Sequence, residues 1–499
     1  MIFFAGRSST CGCPALALFA LMSLSVSAQT AESSRLRMVA VEDHLSHYVV
    51  IRGAKNAEMR LRSQMAALKV PAVSIAAIRK GEIDWARAYG VSSIDGALAT
   101  TKTLFGAASI SKPVTALGVL KLAEAGKIDL DADVNGYLKR WKIPENEFTA
   151  KEKVTVRELL NHTSGIGTHN GEIYDQREPL PTLLELLDGR KPAKTVPVRV
   201  EAVPGTQFAY SNGGYLVLEL LVEDVTGRSF AGYMKWTVLD AIGMRDSTFD
   251  SPLQAEWQSR AATAYEGDGR TAHPPGKFVE PNLAGGGLWS TPTDLAKFLI
   301  EVQREYDGKS HKVLHQKTAR MMLEPNKKLA SKRSWALGFE VGGGELDPYI
   351  RHEGSAFFQD DMVEYLRGKG AGGDGVVVMT SGGNGGVLTE EVIRSAAGVY
   401  DFPDFRPVEH SVVEVAVSEL ARFAGSYGFI KAAFEGDHLT AEIPSGSSPV
   451  RLYAESPTHF FVLDGPQELS FLVDADGKVT GVEFITPMGR HALEKNAAK

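Results

Sequence analysis

The chain has 499 residues, 43% of them hydrophobic and 23% charged. These are ordinary globular proportions, and they exclude a disordered chain, a collagen-like repeat and a polytopic membrane protein. With 54 Lys and Arg against 61 Asp and Glu, the formal charge of −7 offers no electrostatic reason to expect a nucleic-acid partner.

Arg7, the apolar run Pro14 to Val26 and the small residues Val26-Ser27-Ala28 read as an export signal over residues 1–28, with cleavage expected before Gln29. The apolar run is shorter than the roughly 20 residues that cross a bilayer. The mature chain is therefore expected to be periplasmic or secreted and to carry no membrane span. Cys11 and Cys13 are the only cysteines and both lie in this leader. A mature chain without thiols excludes disulfides, cysteine nucleophiles and Cys–metal sites.

Pro71 to Val91 reads as two strands joined by a tight turn at Lys80-Gly81. A helix is expected from Ser109, with Pro113 in its first turn and Gly126 at its C-terminal cap. Leu159 to Ile166 reads as a helix end running into a turn. Another helix spans about Gly213 to Thr226 and stops at Gly227, and Ser290 to Gln303 keeps helical apolar spacing behind an N-cap-like Ser/Thr. Strands return at Ala336 to Val341, Met362 to Leu366 and Val376 to Thr380, which fits one sheet with a helical insertion in its middle. Beyond Asp401-Phe402-Pro403-Asp404 come short alternating segments: Leu439 to Ile443, Val450 to Tyr453, His459 to Leu463, Leu469 to Val473 and Val479 to Ile485. Asp476-Gly477 is a two-residue hairpin signal. Their even spacing predicts a small all-β barrel or sandwich over 410–499, with the domain boundary near residue 410.

Without cysteine, covalent catalysis needs a Ser, Thr, Lys or carboxylate nucleophile, and a serine needs a neighbouring base. Ser109-Ile110-Ser111-Lys112 offers such a pair, because residues i and i+3 share a helix face. A lysine beside a helix N-terminus and partly buried has its ammonium form disfavoured, unlike a surface lysine with a pKa of ~10.4. Tyr210-Ser211-Asn212 adds a phenol whose pKa a cationic lysine can depress, and an amide able to orient Lys112 or a substrate carbonyl. His352-Glu353-Gly354 adds an imidazole able to donate a hydrogen bond and a glycine that admits a substrate backbone. Each motif alone reads equally well as a polar turn or a solvated helix face; the ordered set carries the weight.

That order, Ser-x-x-Lys, then Tyr-x-Asn about 100 residues on, then His-x-Gly in the later sheet, resembles the serine β-lactamase and penicillin-recognising superfamily. The flanking segments are similar to its class C-like group, which includes D,D-peptidase, D-aminopeptidase and esterase branches. They are Phe105-Gly106-Ala107-Ala108-Ser109, Asp129-Leu130-Asp131-Ala132-Asp133-Val134, Leu160-Asn161-His162-Thr163-Ser164-Gly165, Pro204-Gly205 and Gly286-Gly287-Leu288-Trp289-Ser290-Thr291. The resemblance covers roughly residues 65–400. It implies an α/β (α+β) domain over 29–405, an antiparallel sheet flanked by helices with a helical insertion at about 113–330. The segment from about Leu420 resembles the lipocalin-like barrel that often follows such a domain. The resemblance further implies Ser109 as nucleophile, Lys112 with Tyr210 as the base system, and Asn212, His352 and Gly354 as substrate-binding residues. The backbone N–H groups of Ser109 and Ser355 would form the oxyanion hole, and neither metal nor other cofactor is called for. One departure is His352, where class C β-lactamases carry lysine. A neutral imidazole attracts a β-lactam carboxylate less, so efficient β-lactam turnover is disfavoured.

Gly370-Ala371-Gly372-Gly373-Asp374-Gly375 matches a dinucleotide-binding spacing but leads into a strand rather than a helix, so it reads as a loop. His311 and His315 have no third ligand nearby and read as a solvated helix face. No Gly-x-Ser-x-Gly elbow is present. The expectation is an exported serine hydrolase acting through a Ser109 acyl-enzyme on small D-amino-acid-containing peptides, in the manner of a D-aminopeptidase or D,D-carboxypeptidase, with peptidoglycan one source. The alternatives are a carboxylesterase with weak β-lactamase activity and a non-catalytic sensor of peptidoglycan fragments. The oligomeric state is not legible.

Overall fold

The computed structural model describes Met1 and residues 14–54, 59–167, 171–330, 332–366, 373–445, 449–486 and 489–496. Its central sheet has eight strands: β1 (Ala72–Arg79), β2 (Glu82–Gly90), β3 (Lys327–Ala330), β4 (Arg333–Trp335), β5 (Glu340–Gly343), β6 (Pro348–Ser355), β7 (Gln359–Tyr365) and β8 (Gly375–Thr380). They lie in the order β3-β4-β5-β6-β7-β8-β1-β2, and every neighbouring pair is antiparallel. Lys80 and Gly81, both at positive φ (53° and 74°), make the turn between β1 and β2 that right-twisting hairpin strands favour.

β1 and β8 are buried on both faces, which explains their near-continuous apolar text. Ala76, Ile78, Val377 and Met379 face the helical lobe, while Val73, Ile75, Val376 and Val378 face the opposite layer. Each large aliphatic side chain so buried stabilises by about 1.5–3 kcal/mol. The opposite layer is built from helix α1 (Pro14–Asp43) and the late helix Gly385–Val399. Ser34 and Arg37 of α1 bond Asp84, and Ser395 Oγ donates to the Val41 carbonyl. The expected cleavage point before Gln29 falls inside α1. Among the described residues no helix is long and apolar enough to cross a membrane.

Residues 91–326 supply the helical lobe, whose principal helices are α2 (Ser111–Glu124), α3 (Asn212–Thr226) and α4 (Pro292–Tyr306). Thr291 caps α4 by accepting from the Asp294 N–H, with Pro292 in its first turn. One expected strand is displaced. Ala336 to Phe339 is a turn closed by the Ala336 N–H donating to the Phe339 carbonyl, and its apolar residues point into the lobe core. The apolar run signalled burial there, not extension.

At the C-terminus eight antiparallel strands run as a meander from Gly425–Tyr427 to Gly489–Glu494. The ring is nearly closed by a Tyr427–Lys495 bridge and an Asn496 N–H donating to Ser426 O at 2.8 Å. Phe423, Tyr427, Phe460 and Phe471 fill its interior. The short strand Val49–Ile51 pairs in parallel with Val408–His410, and the Val49 N–H donates to Leu463 O, so a segment ahead of the sheet straps the barrel to the larger body.

Candidate active site

Ser109 sits in a single 3-10 turn, Ala108–Ile110, rather than in the α-helix itself, which begins at Ser111. Ala108 is held at φ 43°, a left-handed conformation that costs a residue with a Cβ about 1–2 kcal/mol. The turn is gripped from both sides by Leu288: the Ala107 N–H donates to its carbonyl and its N–H donates to Ser111 Oγ, at 2.8 and 2.9 Å. That is the structural work of the Gly286-Gly287-Leu288-Trp289 segment.

Lys112 is wholly buried (0% exposed), more than the partial burial expected. Its helix packs on every side, so it lacks the amphipathic stripe that would have marked one face as inward. Lys112 Nζ donates to Ser109 Oγ at 3.0 Å and to the Gly285 carbonyl at 2.8 Å, and lies 4.8 Å from the Tyr210 ring centroid. Burial lowers the amine from its ordinary 10.5 to about 7, with the Glu280 carboxylate pulling weakly the other way.

Tyr210 is also hydrogen-bonded to Ser109, but its titration runs opposite to expectation. Burial raises the phenol well above its ordinary value, and the bond to Ser109 offsets only part of that rise. The lysine beside it is itself only partly charged, so no fixed cation favours a phenolate. Tyr210 stays protonated. Its ring stacks on His162 at 4.3 Å, and His162 Nδ1 accepts the Ser211 N–H at 3.1 Å. The Asn161–Gly165 landmark is thus the bracket that holds Tyr210. Asn212 opens α3 and lines the cleft, and its carbonyl accepts from Asn282 Nδ2 at 3.1 Å.

The far wall is β6. Gly354 is needed there, since a Cβ on it would lie 2.4 Å from the Ala107 carbonyl oxygen. That approach brings Ser355 and Ser109 to the edge of the same two cavities. His352 is 4% exposed, and its Nδ1 donates to the Glu353 carbonyl at 2.7 Å. Nε2 is therefore a bare acceptor, buried without a partner. Burial, then Lys112, lowers this imidazole to about 3, so it is neutral. The ring donates a hydrogen bond, but the donor is spent on the Glu353 carbonyl, and the nitrogen left over carries a lone pair.

One cavity, about 160 Å³, is lined by Ser109, Asn212 and Glu280 together with Phe278, Trp289 and Phe358. The second, about 350 Å³, includes Tyr210, His352, Arg333 and Arg351. Both arginines are committed to ion pairs, Arg333 with Glu340 and Arg351 with Asp361. Among the described residues none of the barrel lines either cavity. Two sets of side chains come within metal-binding distance of each other, His47/Glu391/Asp464 and Glu353/Asp361/Glu390. In the first His47 pairs with Asp464, and the second surrounds the Arg351 guanidinium. His315 bonds Glu124 through both its N–H and its ring. Of the Gly370–Gly375 segment, residues up to 372 lie outside the described residues. Sequence reading missed Gly285, His162 and Glu280. The first two adjoin or belong to landmark segments; Glu280 carries no motif.

The beta-lactamase family pattern matches residues 58–394. Protein flp of Staphylococcus aureus strain MW2 is 28% identical over 229 residues, 45% of this chain and 42% of that protein. Esterase EstB of Burkholderia gladioli is 34% identical over 209 residues, 40% of this chain and 51% of that one. The chain spans about half the length of these curated relatives. Among solved structures, the octameric penicillin-binding protein homologue from Pyrococcus abyssi superimposes with TM-score 0.61 at 22% identity, covering 87% of this chain and 98% of that one. The D-amino acid amidase from Ochrobactrum anthropi SV3, complexed with L-phenylalanine, gives 0.55 at 22% identity, over 68% and 95%.

Proposed function

The chain belongs to the beta-lactamase family, and on that footing we propose that it is an exported serine acyl hydrolase, cleaving amide or ester bonds of D-amino-acid compounds through an acyl-enzyme on Ser109. The observation that carries this reading is the buried Lys112 amine, brought to about 7 and placed 3.0 Å from Ser109 Oγ. Neutral Lys112 accepts the Ser109 proton as Oγ bonds to the substrate carbonyl carbon. Tyr210, protonated, supports the same oxygen by its hydrogen bond. The carbonyl oxygen, now negative, faces the N–H groups of Ser109 and Ser355; losing one such donor typically costs about 3 kcal/mol of barrier. As the C–N or C–O bond breaks, the leaving group takes the proton from Lys112. Water then attacks the acyl ester, its proton passing to Lys112 and on to Ser109 as the acid departs.

The neutral His352 and the paired Arg333 and Arg351 offer a substrate carboxylate little attraction, which supports the aminopeptidase or amidase side over β-lactams and carboxylate-ended peptides. The O. anthropi amidase, of like fold, is in keeping with that choice. A second reading, a carboxylesterase with weak β-lactamase activity, draws on the similarity to EstB. A sensor without catalysis is disfavoured because Ser109 and Lys112 are both retained and in contact. We take residues 29–405 as the catalytic unit and 410–499 as its appended barrel, with cleavage before Gln29. The test is a panel of acyl-D-Ala-D-Ala peptides, D-amino-acid amides, p-nitrophenyl esters and nitrocefin. Turnover of amides and esters well above nitrocefin is expected; turnover of nitrocefin alone would overturn the ranking.

A further inference from the structure

We propose that Glu280 and the aromatic side chains that line the same cavity select acyl groups bearing a free α-ammonium and an aromatic side chain, so that the substrates are amides or esters of phenylalanine-like amino acids. This rests on the hydrolase reading above. Glu280 is held beside the cleft by the Asn282 N–H, which donates to its Oε1 at 3.2 Å. Among the described residues its other oxygen has no hydrogen-bond partner, and it faces the cavity that Ser109 also lines. Among the described residues the only cation shifting its titration is Lys112, and burial, the larger effect, holds the carboxyl up at about 7. A carboxylate so placed gains most from a ligand that brings its own positive charge.

The space beside it is kept open by Gly171. A Cβ there would lie 3.2 Å from Glu280 Oε2 and 3.9 Å from Asn212 Nδ2, in the gap between the two groups. A substrate ammonium in that gap would meet the Glu280 carboxylate on one flank. The rest of the cavity is aromatic. Phe278 lies 5.4 Å from Phe357 and 5.8 Å from Trp289, and Trp289 lies 5.5 Å from Phe358, mostly edge to face. The whole cavity, the space beside Glu280 and Ser109 included, is about 160 Å³, comparable with cavities of ~150 Å³ known to take one benzene ring. A carbonyl carbon on Ser109 therefore has its α-carbon in a cavity that carries both a carboxylate and aromatic side chains. An N-acylated peptide would leave Glu280 facing an uncharged amide, and a small side chain would leave the aromatic pocket empty.

The experiment compares kcat/KM for D-phenylalanine p-nitroanilide and 3-phenylpropionyl p-nitroanilide, which share ring and leaving group and differ in the amine, with D-alanine p-nitroanilide as the ring-less control. The parent is expected to prefer D-phenylalanine over both by at least about tenfold. In Glu280→Gln the ratio of amine-bearing to amine-free substrate should fall at least tenfold. Gly171→Ala, which fills the gap and keeps the Glu280 carboxyl, should raise KM for the amine-bearing substrate more than for its amine-free partner. It carries the same comparison if Glu280→Gln does not fold. A ratio near one in the parent, or one unchanged by both variants, overturns the inference while Ser109-dependent turnover of the phenylpropionyl substrate leaves the hydrolase reading standing. Turnover of neither, or turnover undiminished in Ser109→Ala, overturns both.

Discussion

Replacing Lys112 with Met removes an amine that the fold holds in a place hostile to its charge, so the variant should gain stability as it loses activity. In the unfolded chain the amine titrates near 10.5, and in the folded chain near 7. Between those values the unfolded state binds the extra proton, so the parent becomes more stable as pH rises from 7 to 10.5 and carries the whole penalty below 7. At about 1.4 kcal/mol per unit, the penalty is about 4 kcal/mol at pH 7.5 and about 1–2 kcal/mol at pH 9.5. Met leaves the Gly285 carbonyl without its donor, a loss of about 1–3 kcal/mol at either pH. The net gain at pH 7.5 is then about 1–3 kcal/mol, and it should shrink by about 2–3 kcal/mol at pH 9.5. Of the other titratable groups around the amine, His352 titrates near 3, His162 well below its ordinary value, and Tyr210 and Tyr215 above theirs, while Glu280, near 7 and lowered by Lys112, rises in the variant and shrinks the gain with pH in the same direction. Urea unfolding followed by tryptophan fluorescence isolates the relevant unit, since all six tryptophans lie between Trp85 and Trp335 and none in the barrel. A stability difference between variant and parent that is the same at both pH values would refute the reasoning.

Tyr210→Phe removes one of the hydroxyl contacts to Ser109 and should slow acylation by about 10²–10³-fold in stopped-flow measurements; a near-parental rate would strip Tyr210 of its role. Gly354→Ala drives a Cβ into the Ala107 carbonyl, so β6 must shift away from Ser109. It should cost about 1–3 kcal/mol of stability and at least about 100-fold in kcat/KM, and unchanged kinetics would contradict the oxyanion-hole placement of Ser355.

The site was legible where chemistry dictates spacing. Ser109 and Lys112 must be three apart to share a face, and the distant Tyr210 and His352 were tied to them by the order of landmarks. What depends on three-dimensional surroundings was not. Lys112 is buried because its helix is packed all round, which a one-sided apolar stripe cannot signal. The direction of Tyr210's shift depends on how little water reaches it, and the lone pair of His352 on where one backbone carbonyl happens to point. Glu280 was invisible because a single glutamate has no periodicity. In the fold, Lys80-Gly81 announced its turn through the backbone conformation it must adopt. The barrel strand Ile430–Glu435 went unread because its alanines give weak alternation, and Gly489–Glu494 because it is largely exposed and has no apolar face.

The central claim is that the oxygen of Ser109 becomes the acylated atom with Lys112 as its base. Intact mass and peptide mapping after incubation with a fluorophosphonate test it most directly. The account predicts one adduct, on the peptide carrying Ser109, absent in Ser109→Ala and formed far more slowly in Lys112→Met. An adduct on another residue, or one formed equally in Ser109→Ala, would contradict it.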